Sequence, residues 1–232
     1  SQVEDKWYEY WCNERLNWYI EHGIPEDMVM LRPHDEDELS HYSTGTSDVE
    51  FKFPWGFDEL EGIAKRTDFD LKAHAAASGE KLDYFDPQTQ ERYVPFVIEP
   101  AAGATRTMAA FLLAAYDEDE VNGEVRTVLR LHPRLAPYKV AVLPLSKKDT
   151  LTPLAHEVRK LLADRYMVDY DETQNIGKRY RRQDEIGTPL AVTVDFDSLD
   201  DNAVTVRDRD TMEQVRVPID QLLATVSEKL GF

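Results

Sequence analysis

The spacing of apolar residues changes along the chain, and each change marks an element. Over residues 5–22, Trp7, Trp11 and Trp18 recur on one side of a helix that Gly23 ends, and so much aromatic area on one stripe predicts core. Val49, Phe51 and Phe53 alternate as a strand before the Pro54-Trp55-Gly56 turn. Residues 59–64 predict the next strand, with Glu59, Glu61 and Ile63 on one face and two carboxylates side by side. Val94, Phe96 and Ile98 alternate again, Glu99 arrives at the end of that strand, and Pro100 is expected to stop it. Met108, Phe111, Leu112 and Ala115 then recur at helical spacing over 107–116. The polar stretches 67–93 and 117–123 are expected as loop and acidic turn.

A second pattern follows. Val125 to Leu131 alternates as a strand, and Pro133 and Pro137 place a domain boundary, giving 1–132 and 133–232. Beyond it come apolar strands over 139–145, 167–170, 190–196, 203–207 and 214–217. They are interleaved with helices from Thr152-Pro153, over 175–183 and over 218–230. Such alternation predicts a mostly parallel sheet covered by helices.

Composition narrows the function classes. The net charge is −18, but its distribution is uneven: residues 1–138 hold 13 basic and 28 acidic side chains, residues 139–232 hold 14 and 17. The C-terminal part can face RNA locally, whereas the first part cannot do so broadly. Cys12 is the only cysteine and the six histidines never pair at ligand spacing, which excludes an internal disulfide and a cysteine-cluster zinc site. The longest apolar run falls far short of the ~20 residues of a membrane span, and no signal peptide opens the sequence, so a soluble, cytoplasmic protein without a membrane partner is expected.

Two stretches carry candidate chemistry. In residues 94–106 a strand, a small-residue turn (Ala101-Ala102-Gly103-Ala104) and an arginine in a helix's first turn stand together. Small residues let a flat base or a phosphate approach the backbone, and Arg106 can fork onto phosphate or stack on an aromatic ring. In residues 178–182, Lys178, Arg179, Arg181 and Arg182 flank Tyr180; the pattern fits either a solvated helix face or an RNA contact, with Arg207, Arg209 and Arg216 as further candidates. Asp184 and Glu185 could order those arginines or meet bases.

Glu99-Pro100-Ala101-Ala102-Gly103-Ala104-Thr105-Arg106 resembles motif 3 of the class II aminoacyl-tRNA synthetases. Glu59-Leu60-Glu61-Gly62-Ile63-Ala64-Lys65-Arg66-Thr67-Asp68-Phe69-Asp70, Leu135-Ala136-Pro137, residues 175–182 and residues 204–210 resemble the bacterial, dimeric-type glycyl-tRNA synthetases. The resemblance implies the C-terminal half of an antiparallel catalytic domain followed by a mixed-sheet α/β anticodon-binding domain, an α+β unit and an α/β unit in one chain. It implies ligation of glycine to its tRNA with ATP and Mg²⁺, in an enzyme that is a homodimer when complete. By the same resemblance Leu60, Glu61, Glu99, Pro100, Ala101, Ala102 and Arg106 meet ATP, Glu61 holding Mg²⁺ and Arg106 with Glu61 serving catalysis. Arg66, Pro95, Phe96, Val97, Ile98 and Glu99 surround glycine, and Lys178, Arg179, Arg181 and Arg182 meet tRNA. Ala101 stands where many members have a serine, and no motif 1 or arginine-bearing motif 2 is found. A fragment of a synthetase, a short non-catalytic paralogue that binds RNA or a partner as an accessory protein, and an unrelated nucleotide-binding α/β protein are the three readings left open.

Overall fold

The computed structural model describes residues 2–232, with Gln2 described by its backbone alone. The chain forms two compact units, one ending at Ala114 and one spanning Ala115–Phe232.

The first unit opens with α1 (Gln2–Glu21), followed by β1 (Val29–Pro33), β2 (Thr46–Phe53) and β3 (Gly56–Thr67). Then come α2 (Phe69–Ser78), the short pair β4 (Tyr84–Phe85) and β5 (Arg92–Tyr93), β6 (Val97–Ala102) and α3 (Ala104–Ala115). Strands β1-β2-β3-β6 make an antiparallel sheet. Helix α1 covers one face: Tyr8 hydroxyl meets Ser47 Oγ at 2.6 Å, Tyr19 hydroxyl donates to Glu61 at 2.7 Å, and Lys65 donates to Asp5 at 2.8 Å. Val49, Phe51, Ile63 and Tyr19 are fully buried on that side.

Three expectations change here. Pro100 does not end its strand but pairs opposite Ile63 inside β6, which edge position permits because an outward-facing residue without N–H breaks no ladder bond. The polar stretch after Thr67 contains α2, an alanine-rich helix with no buried residue, so propensity rather than an apolar stripe forms it, and Gly79 caps it with φ 76°. Trp7 and Trp11 are not core: they are 50% and 36% exposed and, with Val3, Tyr93, Phe96 and Ile98, line a surface groove.

The second unit begins with the hairpin β7 (Tyr116–Val121) and β8 (Glu124–Leu129), turned at Asn122-Gly123 with φ 55° and 82°. Then follow β9 (Val140–Pro144), α4 (Thr152–Ala163), β10 (Val168–Tyr170), α5 (Ile176–Ile186) and β11 (Leu190–Val194). Short α6 (Ser198–Asp201), β12 (Ala203–Asp208), β13 (Gln214–Pro218) and α7 (Leu222–Leu230) complete it. The sheet order is β10-β9-β11-β12-β13, parallel through the first three strands and antiparallel through the last two. Every residue of β9 and β11 is buried, and Val140, Val142, Val192, Val204 and Leu222 share one core.

Packing sets the division earlier than the prolines at 133 and 137 suggest. The acidic turn is a strand whose carboxylates have partners: Asp119 accepts from Arg126 Nε at 2.8 Å and from Arg130 at 2.8 Å, and Asp117 accepts from Arg130 at 2.8 Å. Arg126, 1% exposed, also donates to Arg209 O at 2.8 Å and to Asp184 at 3.3 Å. The hairpin therefore belongs to the second unit through buried charge.

Candidate functional site

The face of the first sheet opposite α1 is read from register. Ala101 lies across from Gly62 and Gly62 across from Asp48, while Glu99 lies across from Ala64. The centre of this face thus carries Gly62, Ala64 and Ala101, with charge around it. Arg66 Nη1 donates to Glu99 at 2.7 Å, Arg66 forks onto Asp70 at 2.6 and 3.1 Å, and its guanidinium stands 4.0 Å over the Tyr42 ring. The Asp70 bonds and then the Glu99 bond push the Arg66 pKa up. Glu99, 44% exposed in its side chain, keeps accepting capacity beyond its single bond to Arg66. A fixed cation, a half-free carboxylate and small residues beside them suit a small zwitterion with a larger flat ligand alongside.

The bulge in β3 redistributes the expected residues. The register slips between Val49 and Glu50, leaving Leu60 as the extra residue, so Glu59 and Glu61 no longer share a face. Glu59 is exposed on the open face, where a Cβ on Gly62 would stand 3.7 Å from its Oε1 and 3.5 Å from Asp48 Oδ1. Glu61 is 2% exposed on the helix side: Arg15 donates to its two oxygens at 2.7 and 3.1 Å and Tyr19 adds a third bond. Burial and the Glu61 bond push the Tyr19 hydroxyl's pKa up, so it stays a donor. A carboxylate so occupied does not fit Mg²⁺, and Glu59 is the member of the pair open to a cation. Leu60, 2% exposed, is packed rather than presented.

The remaining expected residues divide by side. Val97 lies with Glu99 on the open face by alternation, whereas Ile98, Pro100 and Ala102 alternate to the helix side, and Val94, Pro95, Phe96 and Ile98 line the groove against α1. Arg106, in the first turn of α3, pairs with Asp58 at 2.9 Å and stands 4.9 Å over Phe53, which stacks on Trp55 at 4.8 Å. Trp55 and then Arg106 hold the Asp58 carboxyl below its usual range. Asp58 lies across from Phe51, on the α1 side by alternation, and is separated from Arg66 along β3 by roughly 25 Å at strand rise, so Arg106 and the Arg66–Glu99 pair do not adjoin. Tyr42 and Asp70 complete the Arg66 cluster and were not among the expected residues; the four-residue spacing of Arg66 and Asp70 was the available signal.

In the second unit the basic run of α5 comes apart. Arg179 is 1% exposed and donates to Pro144 O, to Thr173 O at 3.0 Å, and to Glu172 O and Gln174 O at 2.8 and 2.7 Å. It cannot meet RNA from there, which corrects its expected role. Arg182 is held by Asp171 and Thr173, and Arg181 by Val125 O at 2.9 Å and Glu124 at 3.4 Å. Of the four, Lys178 is exposed in the first turn, where Asn175 caps the helix. Asp184 orders Arg207, at 2.8 and 3.1 Å, and Arg126 rather than its helix neighbours. Arg207 and Arg209 are likewise buried.

Comparison with known proteins adds to this geometry. Residues 139–229 match the family described as Anticodon binding domain. A glycine–tRNA ligase of Macrococcus caseolyticus is 59% identical over 231 residues, 99% of this chain and 50% of the relative. Those of Bacillus anthracis and Geobacillus kaustophilus are 57% and 56% identical over 98% and 99% of this chain, and 49% and 50% of their own length. The chain is homologous to half of a glycine–tRNA ligase. It spans about half the length of the curated relatives it matches. The region similar to an anticodon-binding domain lies in the second unit, and the motif-3-like segment lies on the sheet of the first. Among the described residues no helix is long and apolar enough to cross a membrane, and no group of three or more His, Cys, Asp or Glu could hold a metal ion.

Proposed function

We propose that this chain is the C-terminal portion of a cytoplasmic, homodimeric class II glycine–tRNA ligase. The first unit carries part of the glycine and ATP site, and the second binds glycine tRNA. The observation that carries this reading is the 56–59% identity to glycine–tRNA ligases along nearly the whole chain.

Glycine's carboxylate attacks the α-phosphorus of ATP, the bond to the bridging oxygen breaks, and pyrophosphate leaves with the electron pair. The terminal adenosine hydroxyl of tRNA then attacks the glycyl carbonyl and AMP leaves. No protein nucleophile is required; orientation and charge carry the catalysis. Glu99 accepts from glycine's ammonium while Arg66 holds Glu99 at 2.7 Å. Gly62, Ala64 and Ala101 form the floor, where lack of a hydroxyl at Ala101 leaves shape and backbone to set the fit. A site closed to one extra methylene discriminates by about 1–3 kcal/mol. Arg106 leaves its exposed partner Asp58 to meet the adenine ring and γ-phosphate.

The half-length coverage also favours a second reading, a synthetase-like RNA-binding protein without catalysis. A reading frame continuing upstream of Ser1 through an arginine-bearing motif 2 selects the ligase. The functional test measures glycine-dependent ATP–pyrophosphate exchange and tRNA binding on the 232-residue chain. Expected are tRNA binding and exchange at least ~10²-fold below complete ligases, since transition-state donors are missing. Exchange at the complete enzyme's rate contradicts the partial-site account.

A further inference from the structure

Several devices converge on one side chain of the first sheet. Arg66 is the extra residue of a second bulge in β3: Lys65 lies across from Ile98 and Thr67 across from Val97, which leaves Arg66 unpaired in the ladder. Such a bulge re-aims the side chain it frees. Thr67 then turns the chain into α2 with φ 54°, a left-handed conformation that a β-branched residue adopts only where its surroundings impose it. That turn sets Asp70 in the first turn of α2, where its two oxygens accept from Arg66 Nε and Nη2 at 2.6 and 3.1 Å. Thr44 N donates to Lys65 O at 3.0 Å and Lys65 N to Gly45 O at 2.7 Å, which pins beside β3 the segment that carries Tyr42 over the Arg66 guanidinium. His41 of the same segment packs edge-on against Phe69, the first residue of α2, at 5.6 Å.

The fold gains little from this convergence, since no residue of α2 is buried. The other four-residue pair on that helix, Lys72 with Asp68 at 2.6 Å, is a simple point-charge contact on the surface. Arg66 is held on one edge by Asp70 and on one face by Tyr42, and its remaining amino group, Nη1, reaches Glu99 at 2.7 Å. The arrangement also sets charge. Arg66 and Glu99 alone cancel, and a neutral pair attracts an ammonium weakly. With Asp70 one guanidinium faces two carboxylates, so the cluster keeps a net negative charge beside the small residues of the sheet. The bond from Arg66 holds the Asp70 carboxyl below its ordinary range, with His74 and His41 acting in the same direction, so it stays ionised.

We propose that Asp70 and Tyr42 are positioning residues for recognition of the amino acid's ammonium group. Asp70 fixes the Arg66 guanidinium by its edge and offsets its charge, Tyr42 confines it by its face, and Arg66 so held keeps Glu99 aimed at glycine. A carboxylate already fixed in place has less freedom to lose when its ligand arrives. Neither positioning residue touches glycine; both act through Arg66. The assignment rests on the reading that the first unit takes glycine, and it adds the residues that set the aim of the glycine-binding carboxylate.

The test measures glycine-dependent ATP–pyrophosphate exchange in a full-length ligase carrying this sequence, with glycine and ATP varied separately, after thermal melting of each variant. Asp70→Asn keeps the size of the side chain and removes its charge; it should raise the KM for glycine roughly tenfold and leave the KM for ATP within about twofold. Asp68→Asn, which breaks the other pair on the same helix, should leave both unchanged. Tyr42→Leu should raise the glycine KM about threefold, and Tyr42→Phe should restore it. Because Asp70 acts through Arg66 on Glu99, adding Asp70→Asn to Glu99→Gln should lower exchange by less than about twofold beyond Glu99→Gln alone, whereas independent losses multiply. If the unaltered ligase exchanges and Asp70→Asn, folded, keeps its glycine KM, or if the two losses multiply, the assignment is overturned and the functional reading stands. If Asp70→Asn melts early, Tyr42→Leu against Tyr42→Phe decides, equal glycine KM values overturning the assignment. Absence of glycine-dependent exchange in the unaltered ligase overturns the functional reading and this assignment together.

Discussion

The two sheets of this chain use charge in opposite ways. In the first, α1 covers one face and leaves the other with Arg66, Glu99 and Glu59 around small residues, so charge sits where a ligand can meet it. In the second, β9 and β11 are buried on both faces, and Arg126, Arg179, Arg207 and Arg209 are inside, bonded to carbonyls and to Asp184. A sheet with one open face presents its site on that face. A sheet covered on both faces is left with its strand ends. The count of arginines in a segment therefore says little until their burial is known.

The sharpest way to break this contrast is Arg179→Met. If Arg179 is architecture, four carbonyls lose their donor inside the fold, and urea unfolding of the second unit should show a loss of about 3–5 kcal/mol. Normal stability with weakened RNA binding would return Arg179 to the surface role its sequence context suggests.

A smaller contrast lies in two helix caps. Gly187 ends α5 with φ 82° and a Cβ there would stand 2.9 Å from Leu129 O, whereas Gly79 ends α2 with φ 76° and nothing within 4 Å. Gly187→Ala should cost about 2–3 kcal/mol, strain plus displaced backbone, and Gly79→Ala about 1 kcal/mol. Equal melting shifts would show that the hairpin does not pack on α5.

Acid gives a third comparison. Arg126, and behind it Arg130, hold the Asp119 carboxyl at about 2, below its ordinary value. Because the folded-state pKa is depressed, the stabilisation is complete above the unfolded value near ~4 and is lost as pH falls through about 2. Amide exchange in β7–β8 should rise between pH 4 and 2, and Asp119→Asn should remove that pH dependence. The smallest expected effect is that of Lys178→Ala, which should lower the salt slope of tRNA binding by about 0.7 to 0.9 and change stability by no more than ~0.5 kcal/mol.

The order of helices and strands was largely legible, because period-two and period-3.6 spacing survive tertiary packing at Val49–Phe53, at 107–116 and through the second unit. Strand β7 was not, since Asp117 to Glu120 carry no apolar alternation and owe their strand to Arg126 and Arg130 across the hairpin. At the candidate site, Arg66 and Glu99 were legible from the motif-like segments and meet at 2.7 Å. The shared face expected for Glu59 and Glu61 fails because a one-residue bulge at Leu60 breaks the alternation between them, which no composition reveals. Trp7 and Trp11 follow core spacing yet lie on the surface of a chain that spans half its relatives' length.

Under the proposed function, the open face of the first sheet serves glycine and ATP while the second unit serves tRNA. Glu99→Gln, in a full-length ligase carrying this sequence, tests it most directly through parallel measurements of glycine-dependent ATP–pyrophosphate exchange and glycine tRNA affinity. The account predicts exchange lowered by about 10²-fold with tRNA affinity unchanged within about twofold. Unchanged exchange, or a parallel loss of tRNA affinity, would contradict it.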